Sequence, residues 1–338
     1  MSARADQAPP LGGWWRHALV RLGVLPLLLA LAVIIFSLLS PHFLTGQNLL
    51  NVARQSTFLA IVAMGQMLAL LTGGFDLSVG KTLAITSVVG AMVMAGTKSM
   101  FPDAVWIAIL LGMIAGVAAG TLVGIVNGIG VALFDVSPFM MTLGTASISF
   151  GIALTMTSGV PVYGMPDEFG NIFGFGLFLD IPTPVYVTAL LVLALYVILS
   201  WTAMGRYFYA IGGNFKAAVL SGINTRFYLF MAYVLCGFMA AVAGIMLTAR
   251  LETGEANIGA SMPLDSIAAC VIGGVSLRGG VGRLSSVVLG AVFIGLIQNG
   301  MDLARIESYL QEVVIGALLI LAVIADQLRH RLLLKLND

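Results

Sequence analysis

Asp76 stands in the stretch LLTGGFDLSVG, between two long apolar runs. An ionisable side chain at such a place is costly to bury and marks a functional candidate. Gly73, Gly74 and Gly80 around it suit a broken or tightly turned backbone. Two roles fit the residue. Asp76 or Ser78 can accept from the free N–H groups of a helix that begins after them, or Asp76 can line a polar path across a bilayer; capping is the favoured role. Few other polar side chains sit inside apolar runs. Asn127, Gln298 and Asn299 are the costliest of these to bury and join Asp76 as candidates for such a path or its gate. Ser and Thr residues there, such as Thr142, Thr145 and Ser149, more simply bond back to their own helix.

Other chemistries find little support. No nucleophile, base and acid come together, which argues against a membrane enzyme. Cys236 and Cys270 lie in apolar runs and read as small core residues, and His17, His42 and His330 are scattered, so neither a metal site nor a disulfide is expected. Gly80-Lys81-Thr82 ends like the phosphate-binding pattern G-x-x-x-x-G-K-[ST], but Phe75 stands where its first glycine belongs, and an apolar run precedes it rather than a strand. No cofactor is expected on this chain.

Composition sets the class. Of the 338 residues, 59% are apolar and 9% charged, against about 25% charged in a soluble domain. There is too little charge to coat a water-soluble globule, and the lipid bilayer is the implied environment. A net charge of +1 implies no nucleic-acid partner. Ten apolar segments can be marked, at 22–39, 52–71, 80–97, 104–132, 138–158, 183–201, 228–250, 263–277, 285–301 and 309–328. Most approach the roughly 20 residues that cross a bilayer, while 263–277 is short enough to be re-entrant. The expected fold is an all-α polytopic membrane protein of about ten transmembrane or partly re-entrant helices, forming one domain over 1–338.

Ten crossings place both termini on one side. With that side cytoplasmic, twelve of the sixteen Lys and Arg fall inside and four, Arg54, Lys98, Arg250 and Arg305, outside, as the positive-inside rule requires. Residues 1–21 then form a cytoplasmic N-terminal segment, 159–182 an external loop, and 202–227 a cytoplasmic loop. The 159–182 loop is too apolar for disorder, and short β-like or helical pieces are expected in it. Gly112, Gly116, Gly120, Gly124 and Gly128 repeat every fourth residue, a spacing that lets another backbone approach one helix face. Packing inside one subunit is the expected use, with a subunit interface as the alternative. GGFDLSVG at Gly73 and GGVSLRGG at Gly273 are weakly alike, and transporters are often built from repeats.

The stretch WTAMGRYFYAIGGNFKAAVLSGIN, Trp201–Asn224, is neither a span nor a short turn. Asn214 suits an N-cap and Gly222 a C′ position, so Phe215 to Ser221 reads as a helix of about two turns. Phe215, Ala218, Val219 and Gly222 fall on its apolar face. So short a helix is unstable alone and needs a surface to lie on.

The string GRYFYAIGGNFKAAVLSGI resembles the cytoplasmic coupling segment of the sugar permeases of bacterial ATP-binding-cassette importers, the ribose/galactose/xylose type. GGFDLSVG (Gly73–Gly80), Asn127–Gly128, SPFMMTLGT (Ser137–Thr145), IGGVSLRGGVGRL (Ile272–Leu284), LIQNGMDL (Leu296–Leu303) and QEVVIGALLILAVIADQLR (Gln311–Arg329) resemble further landmarks in the family's order. Lys81 departs from the small residue that the family carries after the first of these.

The resemblance implies a permease in the bacterial plasma membrane, both termini cytoplasmic. Its partners would be an ATPase subunit that binds ATP and Mg, a second permease subunit, identical or homologous, and a soluble substrate-binding protein. Gly205, Arg206, Gly212, Gly213, Asn214, Ala217, Ala218, Ser221 and Gly222 would form the ATPase-coupling loop, with the turn at Gly212–Gly213 bending freely and Ala218 on the docking face. A permease for branched-chain amino acids or nucleosides is the nearest alternative. An ion-coupled secondary transporter would need carboxylates inside the spans, where only Asp76 is arguable.

Overall fold

The computed structural model describes residues 25–337, leaving the side chains of 325, 326 and 328–337 undescribed. The expected N-terminal segment 1–21 lies outside those residues. The chain is an all-α bundle with one small hairpin. Its helices are α1 (Leu25–Leu39), α2 (Gly46–Leu71), α3 (Val79–Met100), α4 (Val105–Leu133), α5 (Pro138–Thr157), α6 (Thr183–Trp201), α7 (Ala203–Gly213), α8 (Phe215–Leu220), α9 (Thr225–Leu251), α10 (Met262–Ile272), α11 (Leu284–Leu303) and α12 (Ser308–Asn337). Among the described residues, seven of these (α2 to α6, α9 and α11) are long and apolar enough to cross a membrane, while α1, α10 and the apolar part of α12 are shorter. Each of the ten apolar segments thus holds a helix.

α2 is the central element. Within its most apolar window 89% of residues are buried, and it packs against α9, α10 and α11. α4 packs against α9 and α3, and the five-glycine spine makes both contacts. A Cβ on Gly116 would stand 2.9 Å from the Thr86 carbonyl oxygen, one on Gly124 2.6 Å from that of Tyr233, and one on Gly128 2.9 Å from that of Phe230. The spacing therefore serves packing within one chain, as expected.

Two ends can be told apart. At the near end Leu71, Gly212 and Gly280 meet. At the far end the 158–182 segment folds over the bundle: a helical turn at Asp167–Phe169, a π-turn at Gly170–Gly174, then an antiparallel hairpin of β1 (Leu177–Phe178) and β2 (Ile181–Pro182). Leu179 and Asp180 take the positive φ of a two-residue hairpin turn. Phe169 is fully buried, and Lys98 Nζ donates to the Met165 carbonyl at 3.1 Å.

The segment between α9 and α10 is irregular yet packed on protein. Gly254 bridges Val162, the Glu255 N–H donates to Ser87 Oγ at 3.2 Å, and Gly259 lies against Gly80. Non-helical backbone inside a bilayer survives only when protein or water satisfies it. α10 then covers only about 16 Å at 1.5 Å per residue, half a bilayer, as the short segment at 263–277 foretold.

The glycine spine makes a direct prediction. Gly124→Val drives a branched side chain into the α9 backbone and costs about 1–3 kcal/mol or more through overpacking. Gly144→Val is the control, since nothing lies within 4 Å of its added Cβ. Size-exclusion of heated, detergent-solubilised protein is expected to show a midpoint at least about 3 °C lower for Gly124→Val alone. Equal midpoints would contradict the packing.

Candidate functional site

α2 ends at Leu71, and Gly73 (φ +86°) turns the chain back along it. The Gln66 side-chain amide donates to the Asp76 carbonyl at 3.0 Å and accepts from its N–H at 3.1 Å. Gln66 lies five residues before Leu71, so Asp76 has climbed back roughly 7 Å along α2. Its carboxylate then closes a sealed polar knot. Oδ1 accepts from the Ser78 N–H at 2.7 Å and the Ser78 hydroxyl at 2.6 Å. Asn127 Nδ2 donates to Ser78 Oγ at 2.8 Å and to Asp76 Oδ2 at 3.3 Å, while Asn127 Oδ1 accepts from Thr145 Oγ1 at 2.6 Å. The Leu77 N–H donates to Thr142 Oγ1 at 3.1 Å. The knot ties the break before α3 to α4 and α5. All its side chains are buried, so the arrangement locks backbone rather than offering a surface to a solute. Asp76 serves the turn that starts α3, close to the capping role expected of it. Gly80, Lys81 and Thr82 form the start of α3, and the Lys81 ammonium lies 3.9 Å from the Phe150 ring centroid.

The structure does not bring Gln298 and Asn299 to this knot. Both lie towards the far end of α11. Asn299 exchanges amide hydrogen bonds of 2.8 and 2.9 Å with Asn48, pinning α11 to the start of α2. Gln298 and Asn299 both also border a cavity of about 610 Å³ shared with Arg54, Arg250, Asp265 and Asp302. Sequence reasoning missed these charged residues as a set. A signal existed in Arg54, a cation inside an apolar segment, but its partners lie some two hundred residues away.

The 202–227 loop forms two helices, α7 and α8. The α7 helix was not expected. Gly205 packs on the Leu199 backbone, which lets α7 fold back tightly from α6. Phe208 and Ile211 are buried. The Tyr209 hydroxyl donates to the Gly282 carbonyl at 3.0 Å; burial raises its pKa against the opposing pull of Arg283, so it stays protonated and able to donate. Gly212 has no room for a Cβ, which would overlap the Leu71 carbonyl and the Gly280 nitrogen, and the Gly280 N–H donates to that carbonyl at 2.9 Å. Gly279 lies equally close to Gly73 and Gly212. The near end is thus a junction of glycine backbones from three separate segments.

α8 forms as expected, one residue shorter. Asn214 Oδ1 accepts from the Ala217 N–H at 3.0 Å and Gly222 takes φ +78°. Two expectations are corrected. Gly212 and Gly213 are the last residues of α7, not a freely bending turn; the chain turns at Asn214, whose backbone is extended. Ala218 does not face outward: it is 4% exposed, covered by its own chain, whereas Phe215, Val219 and Leu220 are 49, 48 and 89% exposed. The helix is pinned by its smallest apolar residue, and its large ones are left open. Arg206, Lys216, Ala217 and Ser221 are also exposed.

A family profile described as "Branched-chain amino acid transport system / permease component" matches residues 48–323. The chain belongs to this family of membrane permeases. Within it, the ribose import permease protein of Escherichia coli strain K12 is 39% identical over 304 residues, 88% of this chain and 92% of that protein. The D-allose transport system permease protein of the same strain is 38% identical over 302 residues, covering 89% and 90%. Its galactose/methyl galactoside import permease protein is 35% identical over 313 residues, covering 90% and 93%. No solved structure matches the chain.

The buried knot predicts unequal substitutions at Asp76. Asp76→Ala leaves the Ser78 and Asn127 donors unpartnered and is expected to cost about 1–3 kcal/mol. Asp76→Asn keeps an acceptor for Ser78 and is expected to cost less. Heating midpoints in detergent check the ranking, and an alanine variant as stable as wild type would contradict it.

Proposed function

We propose that this chain is the membrane-spanning subunit of an ATP-driven importer in the bacterial plasma membrane. It carries a monosaccharide or related sugar delivered by a periplasmic or extracellular binding protein. The observation that carries this reading is the α7–α8 hairpin: outside the spans, anchored by backbone contacts, and open on a large apolar face. The relatives, named for import of ribose, allose and galactose over most of the chain, support the substrate class. In this reading the chain crosses ten times, both termini and the near end are cytoplasmic, and the excess of Lys and Arg near that end supports the orientation.

ATP and Mg are bound and used on a separate ATPase subunit, and this chain is a transport subunit rather than an enzyme. The ATPase sits on Phe215, Val219 and Leu220, and a second permease subunit, identical or homologous, completes the path. When the ATPase moves, α8 and α7 move with it. The glycine junction passes that displacement to the end of α2 and to the 273–283 loop. That loop joins α10 to α11, so the half-length α10 is the element free to shift. A charged intramembrane cage is unnecessary where a soluble binding protein supplies the affinity.

Val219→Glu and Leu220→Glu each put a charge on the open face without touching the core. Both variants are expected to insert and remain monodisperse. Co-purified ATPase is expected to fall at least about tenfold, and uptake in proteoliposomes containing the binding protein and ATP is expected to vanish. Unchanged retention of the ATPase would overturn the docking face. The family description also fits a permease for branched-chain amino acids; ATP-dependent leucine uptake without sugar uptake would favour that reading.

A further inference from the structure

The far-end cavity gathers polar side chains that the roles described above leave unused. At about 610 Å³ it falls within the range of small-ligand sites. Its walls come from α2, α9, α10 and α11, with α12 at the rim. Much of its chemistry is not spent internally. Arg54 Nε is buried and meets no acceptor, and its Nη1 makes only a long 3.5 Å bond to Asn51; a buried donor left so needs a partner, and a ligand in the cavity would supply one. Gln55, Gln298 and Asp265 line the cavity. The Arg250 guanidinium is held over the Phe175 ring, 4.4 Å from its centroid, so it is positioned without being neutralised.

From this set we infer that the cavity is a receiving site for one neutral polyol, the sugar on its way into the bundle. The inference rests on the importer reading above and adds to it the place where sugar is first held by this chain. Two arginines and two aspartates line the cavity, so their formal charges cancel and no net charge is asked of the ligand. Amides, carboxylates and guanidinium groups each offer paired donors or acceptors, which suits vicinal hydroxyls. Asp265 is carried by the half-length α10. A shift of α10 would separate Asp265 from Arg54 and Gln55 on α2, dismantling the site and releasing the sugar. The site is thereby tied to the element that the near-end junction drives.

The test uses the full chain in lipid nanodiscs, without binding protein, and saturation-transfer NMR with millimolar D-ribose, D-allose, D-galactose and L-leucine. Transfer to at least one of the sugars is expected, and none to leucine. Asp265→Asn, nearly isosteric, and Gln298→Leu are each expected to weaken that transfer about tenfold, equivalent to about 1.4 kcal/mol. Both are also expected to reduce uptake by the whole transporter while ATPase retention stays at the wild-type level. The site is overturned if no sugar gives transfer while the assembled transporter takes sugar up, if both variants match wild type, or if leucine alone gives transfer. Absence of both transfer and uptake overturns the importer reading together with the site.

Discussion

A helix that breaks inside an apolar bundle must find partners for every backbone N–H and C=O that the break releases, because lipid offers none. Among the described residues, the helices break within the packed bundle between α2 and α3 and between α9 and α10, and polar groups gather at both breaks. At the first, Gln66 binds the backbone of Asp76, the Asp76 carboxylate takes the Ser78 N–H, and Thr142 takes the Leu77 N–H. At the second, Gly254 pairs with Val162 and Glu255 with Ser87. The buried Asp76 is explained by this constraint before any transport role is invoked. Removing it would leave donors unpaired where water cannot reach them.

The same constraint accounts for the near end. Leu71 terminates α2, and its carbonyl is taken by the Gly280 N–H. That bond forms only if Gly212, at the end of α7, presents bare backbone to both. The hairpin that the proposal assigns to the ATPase is therefore not hung on a flexible tether. It meets the end of the central helix through the bare backbone of Gly212 and bonds the loop after the half-length α10 through Tyr209. Interfaces between packed backbones shift as units rather than deform, so motion at α8 has a stiff route towards α10.

Much of this was legible in the sequence, and the limits have physical reasons. Runs of apolar residues located the helices, four-residue glycine spacing located the close packing of α4, and Asn214 with Gly222 bracketed α8. The GGFDLSVG and GGVSLRGG segments each follow a helix end with a positive-φ glycine, but Gly73 is the first glycine of one and Gly274 the second of the other, so the turns do not match residue for residue. What local pattern could not show was pairing between distant segments. Asp76 meets Asn127 across 51 residues and Asn48 meets Asn299 across 251. Gln298 and Asn299 look equivalent in sequence and both border the cavity, yet successive residues of a helix point about 100° apart, and it is Asn299 that reaches Asn48. Ala218 was assigned to the docking face because periodicity marks an apolar stripe without saying which neighbour covers it. The large side chains beside it make the more useful surface, since a partner gains more area from them.

The claim on which the rest depends is that α8 and the 273–283 loop move as one body. Lys216 on α8, outside the proposed docking face, and Arg278 are both exposed and accept spin labels as Lys216→Cys and Arg278→Cys on a chain with its native cysteines replaced. In the assembled transporter, the distance between these labels is expected to stay constant when ATP binds. The distance from Arg278 to a label at Asp302 on the far end is expected to change. A shift between positions 216 and 278 on ATP binding, in a transporter that still carries its solute, would contradict the account.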